Sequence, residues 1–146
     1  MKILFLDIDG VVNNSDTSFK HNLWPLDRYC AFLVGKIQLD TDCKVVLSSS
    51  WRHHPDGVKE VSDRIVPVLD ITPNNTEPGG GIDFSRRGKE IKEWLDAHPE
   101  VTRYAIVDDE NDMLPEQQKN FFKTDFNNGG LTDEIAARVI EHLNRD

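Results

Sequence analysis

Met1-Lys-Ile-Leu-Phe-Leu-Asp-Ile-Asp-Gly10 is the stretch from which the rest of the chain takes its meaning. Lys2 to Leu6 is a near-continuous apolar run of strand length, the pattern of a strand buried on both faces inside a parallel sheet. Asp7 then falls at its C-terminal end, and in open α/β sheets that edge is where ligands bind. Gly10 allows a sharp turn directly after the second acid, Asp9. Alone, Asp-x-Asp-Gly reads equally well as an ordinary turn, because Asp and Gly are common turn residues.

Further along, the same alternation of apolar runs and helical spacing recurs. Val11 to Pro25 is turn-rich, with Asn13, Asn14, Ser15 and Asp16 beside the first strand end, and is too short for a separate cap domain. Asp27 is a good N-cap, and Phe32, Leu33 and Ile37 at helical spacing predict a helix to about Asp40. Cys43 to Leu47 is a second buried strand that runs into Ser48-Ser49-Ser50-Trp51-Arg52. Pro55 and Asp56 open a short helix carrying Val58, Val61 and Ile65. Ile65 to Ile71 reads as a third strand, edge-like or bulged because Pro67 interrupts it.

Pro73 to Asp83, with Asn74, Asn75, Pro78 and three consecutive glycines, is the candidate for a lid or small insert. Ser85 can cap a helix whose apolar face is Ile91, Trp94 and Leu95, ending before His98-Pro99. Arg86, Arg87 and Lys89 then stand in its first turn, where cations oppose the helix dipole and so suggest another task. Arg103 to Val107 is a further buried strand ending in Asp108-Asp109-Glu110. Met113 to Lys119 predicts a short helix and Asn120 to Lys123 a short strand. After a turn at Asn127 to Gly130, Thr132 caps a last helix with Ile135, Val139, Ile140 and Leu143 inward.

Composition bounds what such a chain can do. With 146 residues, 38% hydrophobic and 29% charged, one soluble domain with its own core is expected. The net charge of −9 disfavours attachment to long nucleic-acid duplexes or anionic membranes, though it leaves room for a short phosphorylated ligand held by a local basic cluster. Cys30 and Cys43 lack the number and spacing of a disulfide framework or zinc site and read as buried reduced thiols of a cytoplasmic protein. Strand pattern begins at once, leaving no room for a signal peptide, and no apolar run approaches membrane-spanning length.

Three strand ends thus carry chemistry: Asp7/Asp9, Ser48 to Ser50 and Asp108/Asp109, with a basic helix start between the last two. Carboxylates gathered in one pocket raise each other's pKa unless a cation neutralises them. Magnesium suits the role, since it takes oxygen ligands and commonly binds through one or two carboxylates plus a substrate phosphate. The serines and the Arg/Lys cluster supply partners for the remaining phosphoryl oxygens.

Asp7-Ile-Asp9-Gly-Val, the strand ending in Ser48, the helix start at Arg87/Lys89 and Ala105-Ile-Val-Asp108-Asp109 resemble, in order, the four motifs of the haloacid dehalogenase (HAD) superfamily of phosphohydrolases. More narrowly, Leu47-Ser-Ser-Ser-Trp-Arg52, Arg87-Gly-Lys-Glu-Ile-Lys-Glu-Trp-Leu95 and Gly130-Leu-Thr132 look like its small capless branch, found in phages and bacteria and fused into RNA-repair proteins. The resemblance implies a three-layer α/β/α Rossmann-like fold with a mainly parallel sheet and no large cap. It implies Asp7 as the nucleophile that forms an aspartyl-phosphate, and Asp9 as the general acid and then base. Magnesium would be held by Asp7, the backbone carbonyl of Asp9 and Asp108, with Asp109 as a further ligand or water orienter. Ser48 would bind the phosphoryl group, or Ser49 if the strand runs one residue longer; Arg87, then Lys89, would supply the cation.

Other residues carry less. Arg52 reads equally as a substrate contact or a surface arginine. His53 and His54 are adjacent, lack partner cysteines and read as exposed loop residues. Trp51 and Trp94 read as core or rim packing, and Asp112 as support for the metal or a solvated cap. The expected activity is a magnesium-dependent phosphomonoesterase for nucleotides or phosphorylated nucleic-acid ends. A phosphatase of phosphoproteins or small phosphorylated metabolites is the alternative. The non-enzymatic alternative is a phosphoacceptor or phosphate-binding module; a phosphoacceptor normally lacks the second acid that Asp9 provides, and a degenerate binding module would have lost a catalytic group, of which none is missing here.

Overall fold

The opening run forms strand β1 (Lys2–Leu6) in the computed structural model, which describes residues 1–17, 26–74 and 83–145. It is the middle of a five-stranded parallel sheet of order β3-β2-β1-β4-β5, completed by β2 (Lys44–Leu47), β3 (Val68–Ile71), β4 (Arg103–Asp108) and β5 (Phe121–Lys123). Among the described residues, four α-helices lie between and after the strands: α1 (Arg28–Thr41), α2 (Pro55–Arg64), α3 (Arg86–Asp96) and α4 (Asp133–Asn144). This is the three-layer α/β arrangement expected, and no inserted cap interrupts the described residues.

The period of two along β1 builds both layers. Leu4 and Leu6, with Val45, Leu47, Ala105 and Val107, face Cys30, Leu33, Val34 and Ile37 of α1, Val61 of α2, and Ala136, Val139 and Leu143 of α4. Ile3 and Phe5, with Val46 and Ile106, face Ile91 and Trp94 of α3 and Met113. Ile3 through Leu6 are fully buried, and burial of each such side chain contributes about 1.5–3 kcal/mol. Phe5 meets Trp94 edge-to-face at 5.5 Å, so its truncation to alanine would cost about 3–5 kcal/mol.

Helix ends follow their caps. The Asp27 carboxylate accepts from the N–H groups of Tyr29 and Cys30, and the Thr132 hydroxyl from that of Ile135. Ser85 stands at the N-cap of α3 without capping it, and its hydroxyl donates to Asp83. Phe32, expected on the inner face of α1, is 62% exposed, and Cys30 and Val34 take that face with Leu33 and Ile37. The third strand begins only at Val68, past Pro67, and forms the sheet edge with a register shift opposite Val45/Val46. Pro115–Asn120 winds as a 3-10 turn where a short helix was expected. Residues 18–25 of the turn-rich stretch and 75–82 of the lid candidate lie outside the described residues. Both cysteines are buried and free, and no described helix is long and apolar enough to cross a membrane.

Candidate active site at the sheet edge

The parallel ladder does not stop where the strands do. Asp7 N–H donates to the Val107 carbonyl at 3.1 Å, Ser48 N–H to that of Leu6 at 3.0 Å, and Thr124 N–H to that of Asp108 at 3.0 Å. Backbone pairing therefore sets Ser48, Asp7 and Asp108 side by side at the C-terminal edge. β1 and β4 flank the point where strand order reverses, the usual ligand crevice of an open α/β sheet.

Three carboxylates converge there: oxygen atoms of Asp7, Asp108 and Asp109 lie within 4.8 Å of one another. Gly10 makes room for the third. Its φ is +83°, and a Cβ at that position would stand 2.2 Å from Asp109 Oδ2. Burial and then the Asp108 charge push the Asp7 carboxyl well above the usual range, with Arg87 opposing them. The same two causes push Asp109 up to about 6. Burial also raises Asp112, against the pull of Arg87.

Arg87 is the cation inside this cluster. Its Nη1 lies 2.6 Å from Asp108 Oδ2 and 3.3 Å from Asp7 Oδ1. Burial disfavours its charge, but Asp108 and Asp7 outweigh that and hold it protonated. The following Gly88 explains the reach: a Cβ there would meet the Leu114 backbone nitrogen at 2.6 Å. Gly88 thus lets the first turn of α3 press against the segment after β4, with Gly88 N–H donating to the Asp112 carbonyl and Gln117 Nε2 to the Gly88 carbonyl. Lys89 is elsewhere, half exposed and paired with Asp83 at 2.9 Å.

The consecutive serines separate by function of their oxygens. Ser49 Oγ accepts from Trp51 N–H and caps a 3-10 turn, Ser50–His53. Ser48 Oγ is buried with no hydrogen-bond partner among the described residues. An orphan hydroxyl costs about 1–3 kcal/mol, which a ligand oxygen would offset.

Arg52 is buried, which overturns the surface-arginine reading of it. All its N–H groups point inward: Nε to the Thr72 carbonyl, Nη1 to those of Ser48 and Ser49, Nη2 to that of Pro73 and to Glu90 at 3.0 Å. A guanidinium has five donors, and these contacts engage them all. His53 and His54 are exposed as expected.

Two partners of Asp9 escape a reading by spacing. Its exposed carboxylate accepts from Asn13 Nδ2 at 2.9 Å and from the Trp51 indole Nε1 at 3.2 and 3.3 Å. Asn13 was visible only as a turn residue and Trp51 only as packing; their one signal is that both follow strand ends that share an edge. Asp9's carboxylate stands outside the group of three.

The donor set fits a hard divalent cation, since it offers oxygen only and contains carboxyls whose raised proton affinity a cation would reverse. The family model described as "HAD domain in Swiss Army Knife RNA repair proteins" matches residues 3–136. No curated protein and no solved structure matches the chain. HAD motifs, parallel sheet and acidic edge converge in one conclusion: the chain belongs to the HAD superfamily, in the family of HAD domains of Swiss Army Knife RNA repair proteins.

Proposed function

We propose that the protein is a magnesium-dependent, cytoplasmic phosphomonoesterase acting on nucleotides or the phosphorylated ends of nucleic acid through an aspartyl-phosphate. One observation carries the reading: the buried Asp7 carboxylate shares Arg87 with Asp108, beside the orphan hydroxyl of Ser48. The family's association with RNA repair supports the substrate class.

Asp7, Asp108 and Asp109, with the Asp9 carbonyl, would hold Mg2+, which when bound supplies charge neutralisation for the acids and the phosphate. A carboxylate oxygen of Asp7 attacks phosphorus as the bond to the leaving oxygen breaks, and Asp9 gives that oxygen its proton. Asp9 then takes a proton from water, whose oxygen attacks phosphorus, releasing phosphate and restoring the Asp7 carboxylate. Ser48 Oγ donates to a phosphoryl oxygen, and Arg87 exchanges a carboxylate for the phosphoryl group as charge develops there. Lys89 and Ser49 play no part in this scheme. Unassisted phosphate-monoester hydrolysis requires acceleration of up to about 10²¹-fold, so nucleophile, acid and cation act together.

The test is phosphate release from an aryl phosphate, from 5′- and 3′-mononucleotides and from 3′-phosphorylated oligonucleotides, with Mg2+ and with EDTA. Metal-dependent release, strongest from a nucleotide or an oligonucleotide end, is expected. No metal-dependent release from any substrate would refute the activity.

A further inference from the structure

We infer that Trp51 and Asn13 are positioning residues for Asp9: their two N–H donors hold the carboxylate in the orientation from which it exchanges a proton with the leaving oxygen. The inference rests on the proposed phosphatase reading for what Asp9 does, and on hydrogen bonds for how it is held.

An exposed aspartate at the end of a turn ordinarily samples several rotamers. Asp9 is pinned at both oxygens. Oδ1 accepts from Asn13 Nδ2 at 2.9 Å and from Trp51 Nε1 at 3.3 Å, and Oδ2 accepts from Trp51 Nε1 at 3.2 Å. Neither partner can turn an acceptor toward it. An indole nitrogen is a donor only. The Asn13 amide is set the same way round because its Oδ1 accepts from Gly10 N–H at 2.8 Å, and the residue is 5% exposed.

Both donors stand on fixed supports. The Trp51 ring packs against the larger apolar cluster, so its polar tip is what reaches the site edge. Its backbone N–H donates to Ser49 Oγ, its carbonyl accepts from His54 N–H, and the preceding carbonyls of Ser48 and Ser49 are gripped by Arg52. The turn after β2 thereby reports the place of β2 to an acid at the end of β1. Fixing a catalytic group in its reactive geometry lowers the barrier, and general acid catalysis contributes about 10²–10⁴-fold, so loss of one anchor removes part of that factor.

Leaving-group dependence separates positioning from mere packing. Trp51→Phe keeps the ring and deletes the donor; Asn13→Asp keeps the acceptor for Gly10 N–H and deletes the donor. With each variant, kcat and KM are measured for an alkyl phosphate, whose leaving oxygen needs a proton, and for an aryl phosphate of a strongly acidic phenol, which needs none. The expected result is a loss of about 10–100-fold in kcat/KM on the alkyl ester and little change in kcat/KM on the aryl ester, because kcat/KM reports the steps up to leaving-group departure and not the later attack of water. Should Trp51→Phe not fold, Asn13→Asp carries the same comparison. Equal losses in kcat/KM on the two esters, or none on the alkyl ester, would overturn the positioning role while leaving the phosphatase reading intact. A wild-type protein without metal-dependent phosphate release would overturn both.

Discussion

Arg52 and Arg87 are two largely buried guanidiniums near the same sheet edge, and they are used in opposite ways. Arg52 is sealed, its side chain 2% exposed beside Glu90, and its remaining donors close on four backbone carbonyls that tie the end of β2 to the Thr72-Pro73 segment. Arg87 is 20% exposed and, among the described residues, meets two carboxylates through one nitrogen, which leaves donors for an incoming anion. On the proposed reading, what separates the structural cation from the functional one is the number of donors left over, and residue type and burial alone do not reveal it.

The sharpest way to break this contrast is to remove each guanidinium in turn. Arg87→Ala should lose about 10²–10³-fold in kcat while remaining folded in Mg2+, since it deletes a cation that stabilises the developing charge. Arg52→Ala should instead lose about 3–5 kcal/mol of stability in denaturant unfolding, because buried Glu90 loses its nearer cation and four backbone carbonyls lose their donor. An Arg52→Ala protein that melts like wild type would contradict the structural role assigned to it.

The acids around Arg87 give a second, smaller effect. Asp7 and Asp109 have raised proton affinities in the folded state, Asp109 up to about 6. The metal-free folded protein thus binds more protons than the unfolded chain above the ordinary carboxyl range, and its stability falls as pH rises through about 4 to 6. A divalent cation bound to the ionised cluster offsets that loss. Thermal melts should therefore show a larger rise in Tm on adding Mg2+ at about pH 7.5 than at about pH 5. An equal rise at both would mean that these carboxyls are not the ligands.

The smallest effects separate the adjacent serines. Ser49→Ala loses a cap that also steadies Trp51 and should cost about 1 kcal/mol of stability, with a smaller loss of activity than Ser48→Ala. Ser48→Ala removes an unpaired buried hydroxyl, so stability should hold while phosphate release drops about 10-fold or more. The reverse pattern would move the phosphate-facing hydroxyl to Ser49.

Much of this was legible in the residues before any coordinates. The apolar run of β1 and the acids after it announce a buried parallel strand with a polar C-terminal edge, and β2 and β4 repeat the pattern. Arg87-Gly88 stood out because cations at a helix start are unfavourable unless something compensates them. The rest depended on directions that spacing does not encode. Arg52 turns inward because the 3-10 turn after Ser49 aims it at carbonyls about twenty residues on. Trp51 meets Asp9 across 42 residues of chain, a contact set by tertiary packing. Phe32 falls at helical spacing yet outside the stripe that α4 and the sheet cover.

The central claim is that Asp7 carries the phosphoryl group in turnover. The most direct measurement is rapid-quench mass spectrometry of the Asp9→Asn variant mixed with Mg2+ and an aryl phosphate, because loss of the acid/base slows hydrolysis of the intermediate more than its formation from an activated ester. A phosphoryl adduct on the peptide containing Asp7, absent when EDTA is added and absent in Asp7→Asn, is the predicted result. Phosphate release by Asp7→Asn at the wild-type rate would contradict the account.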